Sequence, residues 1–291
     1  MANALSAQNT DGSPAQALRS TSTLVIVPTL VRSRSGELIK GLDAAHFRLI
    51  DNGREQNVFL ERVENQPLAV VLLIQKGGAG SAELGNYAKL DGTIELILGA
   101  STNKLALVSF DSHVRQTWAF PPRLDGLYYG LTHQEAGDDG AAIRDAVRYA
   151  IGLLQNQPVE FRRVILLLSQ DKDSGSQSSS LDIQREVARS GSTIYSFTFP
   201  SDTTKVKNHN LPPREVSTAE LAVQSGGEHL QFDGESDLEE KMLTVGSGIR
   251  SGYILSFRPN SATPGLHTIT VRVIEQNKRI QILARKSYWL E

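Results

Sequence analysis

The sequence predicts an α/β protein: a doubly wound, mostly parallel, Rossmann-like sheet inserted into a β-sandwich built from the N- and C-terminal segments. Three observations carry this reading. The two ends of the 291-residue chain, residues 21–66 and the stretch from Gly252 onward, place apolar side chains with the period of a half-buried strand. Between them, apolar runs alternate with helical patterns, which means a parallel sheet covered on both faces. One such run, Val70-Val71-Leu72-Leu73-Ile74, passes at once into Gly77-Gly78-Ala79-Gly80, as a buried parallel strand does on reaching a functional edge. Small sheets need a partner to bury a face. One shared sandwich is the economical solution, because the termini of a domain commonly lie close enough to admit an insertion. The expected boundaries are a disordered tail over 1–20, a sandwich from 21–66 plus 250–291, and an α/β domain over 67–249.

Taken in order, residues 23–31 are rich in β-branched side chains and read as a strand, with Pro28 implying an edge position or a bulge. Ser33 to Gly36 is a turn; Phe47 to Ile50 is a short strand, and Asp51-Asn52-Gly53 is a hairpin signal leading back through Gln56 to Val63. Strand 69–74 is followed by a helix over about 81–98, strand 105–110 and a further strand over 117–120. Helix 140–155 shows an i, i+3, i+4 stripe at Ala142, Ile143, Ala146, Val147, Ala150, Ile151 and Leu154. Strand 163–168, helix 181–190, strand 193–199, helix 215–225 ending at Gly226-Gly227, a short strand at 230–232 and helix 236–249 complete the alternation. Three strands, 253–257, 265–274 and 279–288, close the chain, with a turn at Gln276-Asn277.

Composition narrows the function. Hydrophobic content of 40% and charged content of 21% are those of a soluble globular protein. A net charge of −2 gives no electrostatic case for nucleic acid, and no apolar run reaches the ~20 residues of a spanning helix. With no cysteine, disulfides and thiolate chemistry are ruled out.

Several segments in this order resemble the von Willebrand factor A (VWA) fold, and more closely the A-domain-related proteins of Acidobacteria. They are Leu38 to Gly53, Leu105 to Asp111, Ala141-Ala142-Ile143-Arg144-Asp145-Ala146-Val147, Leu221 to Gly227, and Tyr253-Ile254-Leu255-Ser256-Phe257. The resemblance covers roughly residues 23–291. It implies a metal-ion-dependent adhesion site, in which a first loop carries Asp-x-Ser-x-Ser, a second loop Thr and a third Asp, holding Mg²⁺ through hard oxygens. Carried over residue by residue, the first Asp falls on Gln75, the two Ser on Gly77 and Ala79, the Thr on Ala141, and the last Asp on Gln170 or, with a shift of one, Asp171. Mg²⁺ needs charged oxygens, so the resemblance implies the fold but a lost metal site. The candidate edge for a partner is therefore metal-free: Gln75, Gly77, Ala79, Ser81, Asp111, Asp139, Ala141, Gln170, Asp171 and Asp173.

Other patterns are weaker. Gly77 to Gly80 lacks the third glycine of a dinucleotide turn, and no P-loop is present. Asp171, Asp173 and Asp182 partly follow calcium-loop spacing, but the sixth position is Ser and the twelfth Asp. Asp138-Asp139 read as loop or capping carboxylates rather than an acid–base pair. The six histidines have no ligand spacing, and no nucleophile elbow appears. The polar stretch 200–216 is a candidate contact loop. The expectation is a non-enzymatic module without a cofactor that binds a protein partner. The alternatives are self-assembly through sandwich edges and the N-terminal tail, or a small-ligand or nucleotide site at Gly77–Gly80. Ala2 to Ala7 looks like a cleavage region without its hydrophobic segment; with the resemblance, it suggests a secreted or periplasmic protein whose signal peptide has been removed.

Overall fold

The computed structural model describes residues 24–61, 66–99, 102–121, 124–200, 215–261, 263–274 and 280–291. The tail over 1–20, most of the 200–216 loop and the Gln276-Asn277 turn lie outside the described residues.

The chain opens with β1 (Val25–Ser33), β2 (Phe47–Asp51), β3 (Arg54–Gln56) and β4 (Phe59–Glu61). Asn52 and Gly53 stand at φ 44° and 83°, the left-handed pair that a two-residue hairpin turn requires between β2 and β3. The centre runs β5 (Leu68–Gln75), α1 (Leu84–Tyr87), α2 (Asp91–Leu98), β6 (Lys104–Phe110), β7 (Val114–Trp118), α3 (Leu127–Thr132), α4 (Ile143–Gln155), β8 (Arg162–Ser169), α5 (Ser180–Ser190), β9 (Thr193–Thr198), α6 (Thr218–Ser225), β10 (His229–Gln231) and α7 (Glu235–Ser251). The end is β11 (Tyr253–Phe257), β12 (Gly265–Val273), β13 (Ile280–Ala284) and β14 (Ser287–Leu290).

The central sheet has the order β10-β9-β8-β5-β6-β7, parallel throughout except for β7. Every residue of β5 is buried, because helices cover both faces. The pleat divides its side chains between those faces. Val70, Leu72 and Ile74 pack with α1, α2, α3 and α7, while Ala69, Val71 and Leu73 pack with α4, α5 and α6. The stripe on α4 is buried against the second of these faces.

Two antiparallel sheets, β13-β1-β11-β4 and β14-β12-β2-β3, each mix strands from the two ends of the chain. Val27, Leu49, Leu255, Phe257 and Ile269 fill the core between them. This sandwich is docked firmly on the α/β part. Lys286 N donates to Gln224 O at 2.9 Å, and Arg32 pairs with Glu228 at 2.6 Å. A Cβ on Gly226 would lie 2.3 Å from Arg285 N, so only glycine fits where α6 meets the β13–β14 corner.

Three expectations need correction. The single helix over 81–98 is instead a 3₁₀ turn (Gly78–Glu83) followed by α1 and α2. Gly80 is pressed under the end of β5, where a Cβ would meet Gln75 O at 2.6 Å, and Gly85 and Gly92 lower helix propensity further along. Pro28 lies in a strand flanked on both sides, so the edge position expected for it holds only locally. It is tolerated because β1 pairs with β11 through Val25–Thr29 and with β13 only from Thr29 onward, so at Pro28 one side of β1 is still unpaired. The strand expected over 279–288 is two, in different sheets, broken where Arg285 turns inward.

Candidate functional site

The C-terminal ends of β5, β6 and β8 deliver the predicted residues to one edge, and there the chain satisfies its own polar groups. Gln75 and Gln170 are both buried and clasp each other. Gln75 Nε2 donates to Gln170 Oε1 at 3.1 Å and to Gly77 O at 2.8 Å, while Gln170 N donates to Gln75 Oε1 at 2.9 Å. Gln170 Nε2 donates to Lys172 O at 2.7 Å.

The glycine loop closes the space beside this clasp. A Cβ on Gly77 would lie 2.3 Å from Gly140 O and 2.5 Å from Asp111 Cβ. Gly78 N donates to Asp138 O at 2.7 Å, and Gly137 N donates to Lys76 O at 2.8 Å. Ala141 and Ser174 exchange backbone hydrogen bonds at 2.9 and 2.8 Å. Gln75, Gly77, Ala141 and Gln170 are therefore buried beneath the edge, where they pack and shape it. Ala79, Ser81 and Asp139 stand exposed on the rim, with Asp171 half-buried beside them.

These positions do not fit a divalent cation. Gln75 and Gln170 bring neutral amides already engaged with each other, Gly77 and Ala79 bring no side-chain oxygen, and the volume next to Gly77 is occupied by backbone. A phosphate cradle is equally unsupported: the amides of Lys76, Gly78 and Gly80 are spent on Phe110 O, Asp138 O and Gly77 O.

The carboxylates at the edge each have a structural task. Asp111, only 2% exposed, accepts from Arg115 Nε at 2.6 Å and from His113 N at 3.0 Å. Arg115 also reaches Asp138 at 2.8 Å, and Asp138 accepts from Ser112 N, Gly140 N and the Ser112 hydroxyl. The Ser112 hydroxyl and these amides, with Arg115 behind them, hold the Asp138 carboxyl well below the usual range. Asp111, His113 and Asp138 bring their ligand atoms together, and the Arg115 guanidinium supplies the positive charge there. Asp173 accepts from Arg144 N at 2.9 Å and Ser176 Oγ at 2.6 Å, fixing the start of α4. Asp171 accepts from Thr218 Oγ1 at 2.9 Å at the start of α6. Asp182 lies in the first turn of α5, capped by Ser179. The three aspartates with calcium-loop spacing thus serve three different helices, which overturns a shared cation site.

Sequence reasoning missed Arg115, Arg144 and Ser112, which hold this edge together. The recognisable signal was Asp-x-x-Ser at 173–176, a local turn that ties its own backbone through Ser176 N to Asp173 at 3.1 Å. Nothing in the spacing of Arg115 points at Asp138, which lies 23 residues on.

No family model and no curated protein matches this sequence. Solved structures similar to it include a von Willebrand factor type A protein from Catenulispora acidiphila, with 9% identity, a TM-score of 0.48, and coverage of 94% of this chain and 76% of that one. An aerotolerance-related membrane protein from Bacteroides fragilis aligns at 12% identity and TM-score 0.46, covering 62% of this chain and 98% of its own. The vWF domain of the type V pili tip protein Mfa5 from Porphyromonas gingivalis aligns at 10% identity and TM-score 0.46, covering 64% and 95%. Among the described residues, no helix is long and apolar enough to cross a membrane.

Proposed function

We propose that this chain is a non-enzymatic protein–protein interaction module of the VWA kind that engages its partner without a metal, as an exported protein. The observation that carries the reading is the Gln75–Gln170 clasp. It stands where the sequence resemblance calls for two aspartates, and it converts an ion-binding edge into a neutral, internally bonded platform. Around that platform the exposed rim, Ala79, Ser81 and Asp139, offers small side chains and hydroxyl and carboxylate groups for hydrogen bonding. Such a contact depends weakly on salt.

The test is capture of a partner from the producing organism, identified by mass spectrometry, in buffer with EDTA. Retention by the parent chain and loss with Ala79→Arg and Asp139→Lys supports the reading. Binding that requires Mg²⁺, or that ignores both substitutions, overturns it. Millimolar Mg²⁺ should also leave the melting temperature unchanged, since occupancy at 100 times Kd would add about 2.7 kcal/mol.

A second reading, self-assembly, is favoured by one feature. Among the described residues, edge strand β4 pairs only with β11, and its Phe59 and Leu60 are 56% and 37% exposed. Light scattering of the parent and of Phe59→Lys separates the two readings: a monomer in both argues against assembly.

A further inference from the structure

The opposite end of the parallel sheet holds a different chemistry. Where the starts of β8 and β9 meet β1, the end of α5 and the β13–β14 corner, a cleft of about 540 Å³ opens between the α/β part and the sandwich. Four arginines line it, Arg162, Arg163, Arg189 and Arg285, against a single lining carboxylate, Glu160, in a chain whose net charge is −2.

None of these guanidiniums has a carboxylate partner among the described residues. Arg162 Nη1 donates to Ile249 O at 2.9 Å and Arg163 Nη1 to Ser190 O at 3.0 Å. Arg285, only 6% exposed, donates to Ala188 O at 2.9 Å and Ser287 O at 3.0 Å. Arg189 lies 4.4 Å from the centre of the Trp289 ring. The acceptors are carbonyls of α5, α7 and the corner, so the arginines close helix ends. That role uses few of the five N–H groups on each guanidinium. The buried Nε atoms of Arg162 and Arg163 have no acceptor at all. Burial pushes Arg162, Arg163 and Arg285 down from the ordinary guanidinium value, Arg285 to about 10, with no nearby carboxylate to reverse it. Arg32, whose charge also reaches Tyr195 on the cleft wall, is already neutralised by Glu228.

Helix capping alone does not explain why four arginines line one concave surface. A cleft of this volume is the size of a small-molecule site. Its walls include the rings of Trp289 and Phe161, so its polar and apolar parts lie side by side. We propose that the cleft binds a small organic oxyanion, a carboxylate or phosphate carried on an aromatic or apolar body. Arg163, whose Nε has no acceptor, and Arg189 at the end of α5 take the anionic group, Arg285 supplies fixed positive charge behind them, and Trp289 with Phe161 covers the body.

The experiment uses the full chain and three probes, phenyl phosphate, phenylacetate and inorganic phosphate, in calorimetry at constant ionic strength set with NaCl. Both phenyl compounds should bind saturably, and phenyl phosphate about tenfold more tightly than inorganic phosphate, since only it fills the apolar wall. If phenyl phosphate binds and phenylacetate does not, the site is one for phosphates; the reverse assigns it to carboxylates. In a W118F background, where Trp289 is the remaining indole, the bound probe should change its fluorescence. R163Q should lower affinity about tenfold or more. If R163Q does not fold, R189Q, altered on an exposed side chain, takes its place and should likewise lower affinity in calorimetry. The proposal is overturned if no probe binds saturably, if NaCl alone reproduces the signal, or if the folded arginine variant binds like the parent.

Discussion

The two ends of the parallel sheet solve the same problem in opposite ways. At the carboxyl ends of β5, β6 and β8, acidic side chains are matched by donors of the chain itself. Asp111 and Asp138 share Arg115, Asp173 holds the start of α4, and Asp171 the start of α6. At the amino ends of β8 and β9, basic side chains are matched only by main-chain carbonyls. Helix ends account for both. Their free N–H groups gather at one side of the sheet and attract carboxylates, while their free C=O groups gather at the other and attract guanidiniums. The acidic end is closed because Asp111, Asp138, Asp171 and Asp173 are matched by donors of the chain itself. The basic end remains open because carbonyls leave formal charge uncompensated.

Breaking the closed end should give the largest effect. Gly77→Arg must drive a side chain into Gly140 O and Asp111, and should cost more than about 3 kcal/mol in urea unfolding. Ala79→Arg, two residues away on the exposed rim, should stay within about 0.5 kcal/mol. Equal costs would mean that the loop is not packed as described. Next in size is Gln75→Leu, which leaves Gln170 N and its side-chain oxygen buried without partners and should cost about 2–3 kcal/mol by the same measurement.

The sharpest contrast pairs one arginine from each end. Arg115→Met strands the buried Asp111 charge. With Arg115 itself 43% exposed, the loss should fall below that of a fully buried pair. It should still exceed the loss in Arg163→Met, which strands no carboxylate and should cost about 1 kcal/mol or less. If the two variants lose the same stability in urea unfolding, the distinction between the ends fails.

The smallest effect lies outside both ends. In the sandwich, His267 is buried, with Nδ1 2.9 Å from Asp51 Oδ1 and Nε2 2.7 Å from Thr263 O. Burial pulls its pKa down, but the Thr263 carbonyl and the Asp51 carboxylate outweigh that and raise it. A folded pKa above the unfolded value of about 6.5 means that the stabilisation is complete below that pH and is lost as pH rises through the folded pKa. The melting temperature should therefore fall on the alkaline side of about pH 6.5 by a margin that His267→Gln removes. Asp138 has the opposite sign: its contribution is present above the unfolded carboxylate pKa and is lost only at strongly acidic pH. A curve that falls on acidification near pH 6 would contradict the assignment of His267.

What was legible in the sequence followed the period of burial. β5, β8 from Val164 onward and α4 show it because each is covered there, on two faces or on one stripe. The hairpin at Asn52-Gly53 was legible because positive φ selects those residues. Pro28, the broken segment over 78–98 and the division at Arg285 were not, because each depends on a neighbour remote in sequence: the staggered pairing of β11 and β13, the underside of Gln75, and the carbonyl of Ala188. At the candidate site, the neutral amides at 75 and 170 were legible as residue types. That the two amides bond to each other, and that Arg115 serves two aspartates, required the fold. The division into 21–66 plus 250–291 and 67–249 remains our proposal; a soluble, folded 67–249 fragment would support it.

The position of β1 carries a consequence for how the chain is made. Its partners, β11 and β13, begin 228 and 255 residues after Val25, counted as 253 − 25 and 280 − 25. Closing such loops is slow and entropically costly. During synthesis the α/β segment is complete long before β13 exists, so it can condense while β1 is still an unpaired, β-branched ribbon. The ribbon is vulnerable to wrong strand pairing until the last residues emerge. Truncation before Ile280 would leave β1 from Thr29 to Ser33 without its β13 partner permanently, and the expected outcome is aggregation rather than a smaller stable protein, read by light scattering of the truncated chain.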